Sequence, residues 1–281
     1  MPELPEVEVI KKSLNHRLKK QFITNVWTSK FRMRSQLTAQ DQELVKGKMI
    51  EKVSRIGKFL VIQLPDSFLL LHFGMSGRLL IAKNNEEIKK IQSTKHVHFL
   101  LGLSSIYIFL HDQRRFGGVR LVRKSEADSI VSLKKILNIG VDPIEDLFRP
   151  RDFFKKTARV KRNIKSYLMD GSKIAGVGNI YATESLFRAG VNPETPTNKL
   201  SLAAWSRIIG CIQFVLTIAI KQGGSTLRDF TDPTGKRGDF TTNHLVYGKK
   251  NFNCVVCNAR LDAKLINQRT TVFCKFCQKR N

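Results

Sequence analysis

The chain has 281 residues, 42% of them hydrophobic, enough for one large or two ordinary domains, with two the better expectation. Forty-nine Lys and Arg against 23 Asp and Glu leave a formal charge of +26, which points to a polyanionic partner, nucleic acid ahead of a ribosomal or membrane surface. No uninterrupted apolar stretch nears the roughly 18 residues of a membrane span, and an acidic, proline-containing start is unlike a signal peptide; the expectation is a cytosolic or nucleoid-associated protein with no membrane partner.

The chain opens Met1-Pro2-Glu3-Leu4-Pro5-Glu6-Val7-Glu8. If Met1 is removed, Pro2 becomes a secondary amine of the α-amino type, which titrates at about 7.7–8.0 and is a nucleophile at neutral pH. Its attack on a sugar C1′ or an aldehyde gives an iminium ion, an electron sink for elimination, and Glu3 beside it can move protons. The same residues also read as a plain helix start, with Pro5 in the first turn and Glu6 and Glu8 near the positive end of the dipole. Val7, Ile10, Leu14 and Leu18 then recur at helical spacing among Lys11, Lys12, Arg17, Lys19 and Lys20, predicting an amphipathic helix.

From about Ile23 to Val122 the pattern changes to short β-type runs, at 58–64, 68–73, 78–81, 96–101 and 106–110, separated by Pro65-Asp66 and by glycine-containing breaks. Repeated short strands predict an antiparallel sandwich or barrel. Three of its loops combine glycine with a cation or a bulky apolar residue: Arg55-Ile56-Gly57-Lys58, His72-Phe73-Gly74-Met75-Ser76-Gly77 and His111-Asp112-Gln113-Arg114-Arg115-Phe116-Gly117-Gly118. Glycine lets backbone approach a ligand closely. Each loop singly also reads as an ordinary turn, and Met75 or Phe116 singly as core.

The run Glu126-Ala127-Asp128-Ser129 marks a boundary between domains 1–128 and 129–281. Beyond it, Asn163 to Asp170 and Ile174 to Phe187 are helical, with Asn179 at an N-cap position after Gly176 and Gly178. A tight helix–turn–helix junction there exposes N–H groups to a phosphate. Leu200 to Lys221 is one long apolar helix that contains Cys211, a core position. A polar, glycine-containing stretch follows, through Asp239.

Cys254-Val255-Val256-Cys257 and Cys274-Lys275-Phe276-Cys277 are separated by sixteen residues. Four thiolates at that spacing suit one tetrahedral Zn²⁺ with no open position, a structural metal without which so short a segment does not hold its shape. Cysteines used in this way fit a reducing compartment.

The N-terminal string, the three loops, the 163–187 segment and the cysteine pairs together resemble the formamidopyrimidine-DNA glycosylases (MutM), over nearly the whole chain. The resemblance implies an α+β chain: an N-terminal antiparallel β-sandwich flanked by helices, then a helical helix-two-turn-helix domain (about 163–190) with a zinc-ribbon finger (about 248–281). It implies that Pro2 attacks C1′, that Glu3 protonates the ring oxygen and later moves protons, and that Glu6 orients them. Lys58 then binds phosphate beside the lesion, with His72 a second candidate, while Met75, Arg114 and Phe116 fill the void left by the everted nucleotide. Gln113 stands where the family usually has proline. By the same match Lys165 lies near the damaged base, Asn179 and Arg269 grip phosphate, and a loop at about 223–240 covers the flipped base.

The implied activity is that of a monomeric glycosylase and abasic-site lyase, working by β- then δ-elimination on double-stranded DNA that carries 8-oxoguanine opposite cytosine or formamidopyrimidines. The rivals are an endonuclease VIII-type glycosylase for oxidised pyrimidines, which usually has glycine where Leu4 stands, and a non-catalytic zinc-ribbon nucleic-acid-binding protein. The latter leaves the N-terminal string unexplained.

Overall fold

The computed structural model describes residues 2–225 and 238–279. They form two compact units, Met1–Leu137 with Gln222–Asp239 and Asn138–Lys221 with Phe240–Asn281.

In the first unit, helix α1 (Leu4–Leu18) is followed by β1 (Ile23–Thr28), α2 (Ala39–Val45), β2 (Lys52–Ile56), β3 (Phe59–Gln63), β4 (Ser67–His72), β5 (Arg78–Ala82), α3 (Asn85–Gln92), β6 (Val97–Leu103), β7 (Tyr107–His111), β8 (Gly118–Arg123) and α4 (Ile130–Ile136). The strands make two antiparallel four-stranded sheets, in the orders β1-β6-β7-β5 and β2-β3-β4-β8. Alternate residues of both sheets, Leu60, Ile62, Leu69 and Leu71 from one and Phe99, Leu101, Ile108 and Leu110 from the other, share a single core. That is a sandwich, because the period-two pattern of each strand turns every second side chain inward.

The apolar stripe of α1, Val7, Ile10, Leu14 and Leu18, is part of the same core. Truncating one of these, Leu14→Ala for instance, costs about 2–5 kcal/mol. Burial of the stripe is what fixes the first residues of the chain on the sandwich.

The β2–β3 hairpin turns through Gly57, whose φ of +57° is the left-handed conformation that glycine adopts without penalty. Arg55, which reads as a loop cation in the sequence, lies in β2 and is buried. Its Nε donates to Glu8 of α1 at 2.9 Å and its Nη1 to the Gly57 carbonyl at 3.2 Å. A buried guanidinium needs such partners, and these join α1 to the hairpin that carries Lys58.

The second unit contains α5 (Pro150–Thr157), α6 (Ile164–Leu168), α7 (Asn179–Arg188), α8 (Leu202–Lys221) and a two-stranded hairpin of β9 (Asp262–Ile266) and β10 (Arg269–Phe273). By length and composition α8 could cross a membrane, with a mean hydropathy of 1.7. Its Ala204, Trp205, Ile208, Ile212, Val215, Leu216 and Ala219 are instead buried, and it packs on α5 and α7, with Trp205 against Phe153 and Tyr167. It is a core helix of this unit.

Candidate active site and nucleic-acid interface

Pro2, Glu3 and Glu6 are all buried at the start of α1. Glu6, at the third helical position, accepts the N–H of Glu3 at 2.8 Å, the reciprocal half of a capping box. Its other oxygen accepts the N–H of Ser225 at 2.7 Å. A side chain on Gly224, whose φ is +85°, would come within 2.9 Å of that same oxygen. Ser225 bridges to Asp239, so Glu6 sits at the root of the segment that the sequence reading assigns to a lesion-covering loop. The rest of that loop, 226–237, lies outside the described residues.

Lys58 is half-buried at the β2–β3 turn. Antiparallel pairing sets Phe59 opposite His72, and the two rings lie 5.0 Å apart. Burial, and then the positive charges of Arg34 and Lys58, push the His72 imidazole down to about 4, so near neutral pH it is uncharged. Its Nδ1 accepts the Gly74 N–H at 3.2 Å. Neutral His72 can still donate a hydrogen bond to an acceptor.

Met75 is half-buried, while Arg114 and Phe116 project into solvent with the guanidinium 4.8 Å from the ring centre. Phe116 is 46% exposed, so core packing does not account for it. An exposed aromatic ring beside a guanidinium has the chemistry to stack on a base. The loops bearing these residues touch: a side chain on Gly74 would meet the backbone of Phe116 and Gly117 at 2.4 Å. Between them lies buried Asp112, which accepts from Ser76 Oγ at 2.5 Å, Gly117 N at 2.7 Å and Arg114 N at 3.2 Å. Neither Asp112 nor Ser76 carries a sequence signal that separates it from ordinary turn residues.

In the second unit Lys165 is fully buried, its Nζ donating to Asn179 Oδ1 at 2.6 Å and to the Thr271 hydroxyl. Asn179 Nδ2 donates to the Thr270 carbonyl at 3.3 Å. With its side chain so engaged, Asn179 is the first residue of α7 and Gly178 takes the cap position expected of Asn179. The two residues therefore tie the start of α7 to β10. Arg269 opens β10 after a two-residue turn, Asn267-Gln268, with φ values of +50° and +58°.

The four Sγ atoms of Cys254, Cys257, Cys274 and Cys277 lie within 4.8 Å of one another, with Cys257–Cys274 at 3.5 Å and Cys254–Cys277 at 3.8 Å. Zinc–sulfur bonds of about 2.3 Å in a tetrahedron separate sulfurs by roughly 3.8 Å, so the donor set fits Zn²⁺. Cys211 stands apart on α8, its thiol pushed up by burial.

Two supports of the finger escape a sequence reading. Buried Glu184 accepts the backbone N–H groups of Leu245, Val246 and Tyr247 at 2.8–3.0 Å, and Gln278 links Cys274 N to the Val191 carbonyl, both at 2.9 Å.

Residues 1–119 match the family model of the formamidopyrimidine-DNA glycosylase N-terminal domain, and 139–231 that of the formamidopyrimidine-DNA glycosylase H2TH domain. The chain is 36% identical over 279 residues to the formamidopyrimidine-DNA glycosylase of Janthinobacterium sp. (strain Marseille), covering 99% of this chain and all of that one. It is 38% identical over 280 residues, at the same coverage, to the enzyme of that name from Wolbachia sp. subsp. Drosophila simulans. Among solved structures it resembles Lactococcus lactis Fpg in complex with DNA containing an abasic site (TM-score 0.89) and in complex with DNA containing Fapy-dG (TM-score 0.88). Both are 30% identical, with 99% of this chain and 100% of that one covered.

Proposed function

Because the chain belongs to the formamidopyrimidine-DNA glycosylase family, we propose that it excises oxidised purines, 8-oxoguanine opposite cytosine and formamidopyrimidines, from double-stranded DNA and then cleaves the strand at the abasic site. The observation that carries this reading is the buried Pro2-Glu3 start, anchored by Glu6 on a helix locked to the sandwich.

With Met1 removed, the Pro2 nitrogen attacks C1′ while Glu3 gives a proton to the ring oxygen, and the C1′–O4′ bond opens. The base leaves with the glycosidic electron pair and takes up the proton lost by the Pro2 nitrogen. What remains is a C1′=N iminium, positively charged because the nitrogen was a secondary amine. That charge acidifies C2′–H; loss of this proton expels the 3′ phosphate, loss of C4′–H then expels the 5′ phosphate, and water releases Pro2. Glu3 moves these protons.

Excision requires the nucleotide to leave the stack, at a cost of a few kcal/mol. Lys58 and His72 hold phosphate beside the lesion, and Met75, Arg114 and Phe116 fill the gap. The guanidinium of Arg114, with parallel donors and no acceptor, suits the N3 and O2 acceptors of the orphaned cytosine and not the N6 donor of adenine. Asn179 and Arg269 bind phosphate, and Lys165 sets the position of Asn179. One structural Zn²⁺ on Cys254, Cys257, Cys274 and Cys277 holds the finger.

Single-turnover excision on duplexes with one defined lesion tests the substrate assignment. Formamidopyrimidine and 8-oxoguanine opposite cytosine are expected to be cleaved fastest; faster cleavage of an oxidised pyrimidine would transfer the enzyme to the endonuclease VIII-type branch.

A further inference from the structure

We propose that Asp112 and Ser76 yoke the Met75 loop to the Arg114–Phe116 loop, so that the three side chains occupy or vacate the helical stack as one body, with Ser76 a specificity-determining position. This deepens the reading above and rests on its assignment of Arg114 to the orphaned base.

The yoke follows from where the hydrogen bonds go. Asp112 Oδ1 accepts the Ser76 hydroxyl at 2.5 Å, and the Arg114 N–H is shared between Ser76 Oγ at 3.1 Å and Asp112 Oδ1 at 3.2 Å. Asp112 Oδ2 accepts Gly117 N at 2.7 Å, and the Asp112 carbonyl closes a turn by accepting Arg115 N at 3.3 Å. One buried carboxylate thus binds both ends of its own loop and, through Ser76, the neighbouring loop. In a buried setting, leaving any one of these bonds unmade is costly.

The backbones leave no room for independent motion. Gly74 abuts Phe116 and Gly117 closely enough that a methyl group would overlap them, and the same holds for Gly117 against the His72 carbonyl. Met75 and Ser76 are adjacent, so a hydrogen bond through Ser76 transmits the position of one loop to the other.

Gln113 fixes the chemistry of a rescue. It is the second residue of the turn closed by Asp112 and Arg115, the position where proline presets the backbone. Here that turn is held by the Asp112 side chain rather than by a ring. Gln113→Pro is therefore expected to restore by preorganisation what loss of the Ser76 hydroxyl removes.

Two readouts separate this inference from the functional reading. Amide hydrogen exchange on the free protein reports the coupling itself. The native chain should show one common protection for Gly77, Arg114 and Gly117; Ser76→Ala should raise exchange at Arg114 about tenfold or more and split it from Gly77. Ser76→Thr, which keeps the hydroxyl, should leave it near native, and Ser76→Ala with Gln113→Pro should return most of the protection.

Single-turnover excision of 8-oxoguanine reports the consequence. The cytosine-over-adenine ratio should fall severalfold in Ser76→Ala and recover in the same double variant. If Arg114→Ala leaves that ratio unchanged, the orphaned-base reading fails and exchange alone decides the yoke. If Arg114→Ala flattens the ratio while Ser76→Ala alters neither it nor the exchange at Arg114, the yoke is overturned and the reading stands.

Discussion

The Glu6 carboxylate accepts the backbone N–H of Ser225 at 2.7 Å, 219 positions further along the chain. Its second oxygen holds the N–H of Glu3 at 2.8 Å, so one buried side chain ties the reactive start to the root of the 222–239 segment. Hydrogen bonds to a charged acceptor contribute about 1.5–3 kcal/mol each. Glu6→Ala should therefore lower unfolding stability by roughly 3 kcal/mol or more, and Glu6→Gln, which keeps one acceptor, by about half as much. Chemical denaturation checks this, with amide exchange at Ser225 as the local probe; native stability and native protection in Glu6→Ala would mean that the carboxylate is no tie.

His72 supplies a pH dependence with a definite sign. Its folded value, about 4, lies below the ordinary 6.5, so the unfolded chain takes up the proton more readily. Stability from this residue is complete above pH 6.5 and is lost progressively as pH falls through about 4, amounting to about 3 kcal/mol at the limit. His72→Phe should flatten the stability profile between those values, and an NMR titration should find the imidazole neutral at pH 6. A native His72 that titrates near 6.5 contradicts the burial and charge argument.

Lys165 acts through its neighbours, because its ammonium is enclosed by Asn179 and Thr271. Lys165→Met keeps the volume and removes the bonds from α6 to Asn179 of α7 and Thr271 of β10, leaving Asn179 held only by the Thr270 carbonyl among these contacts. Affinity should fall for lesion-bearing and undamaged duplexes alike, by about tenfold or more, since the contacts disturbed are to phosphate. A loss confined to lesion-bearing DNA would return Lys165 to the damaged base itself.

The four-thiolate site predicts one tightly bound zinc per chain. Chelation, or Cys257→Ser, should unfold the finger and abolish DNA binding as Arg269 loses its support, whereas Cys211→Ser should leave zinc content unchanged. Metal analysis of freshly purified protein measures this, and a metal-free preparation with a folded finger and full DNA affinity contradicts it.

The sequence makes the regular parts of this molecule legible for simple reasons. Val7, Ile10, Leu14 and Leu18 announce α1 by their spacing, the apolar runs at 58–64 and 68–73 fall on β3 and β4, and two CxxC pairs bring the four sulfurs together. Strand β2, Lys52–Ile56, is short and cationic and shows no such run, and helix α3, Asn85–Gln92, interrupts a stretch that otherwise reads as strands and turns.

What local pattern cannot carry is the partner of a buried polar group. Arg55 looks like a loop cation until Glu8 is found 47 residues away, and nothing in the local pattern around Lys165 points to Thr271, 106 residues away. Ser76 and Asp112, 36 residues apart, are ordinary turn residues in sequence and a single network in space.

On the proposed mechanism the nitrogen of Pro2 forms a covalent bond to the sugar it attacks. Borohydride reduction during turnover of an 8-oxoguanine duplex converts the iminium to a stable amine, and peptide mapping of the adduct identifies the residue that carries it. A trapped complex bonded at Pro2 is expected, with trapping abolished when Met1 is retained and sharply reduced in Glu3→Gln. Efficient trapping by the Met1-retaining protein, or an adduct mapped to a lysine side chain, would contradict Pro2 as the nucleophile.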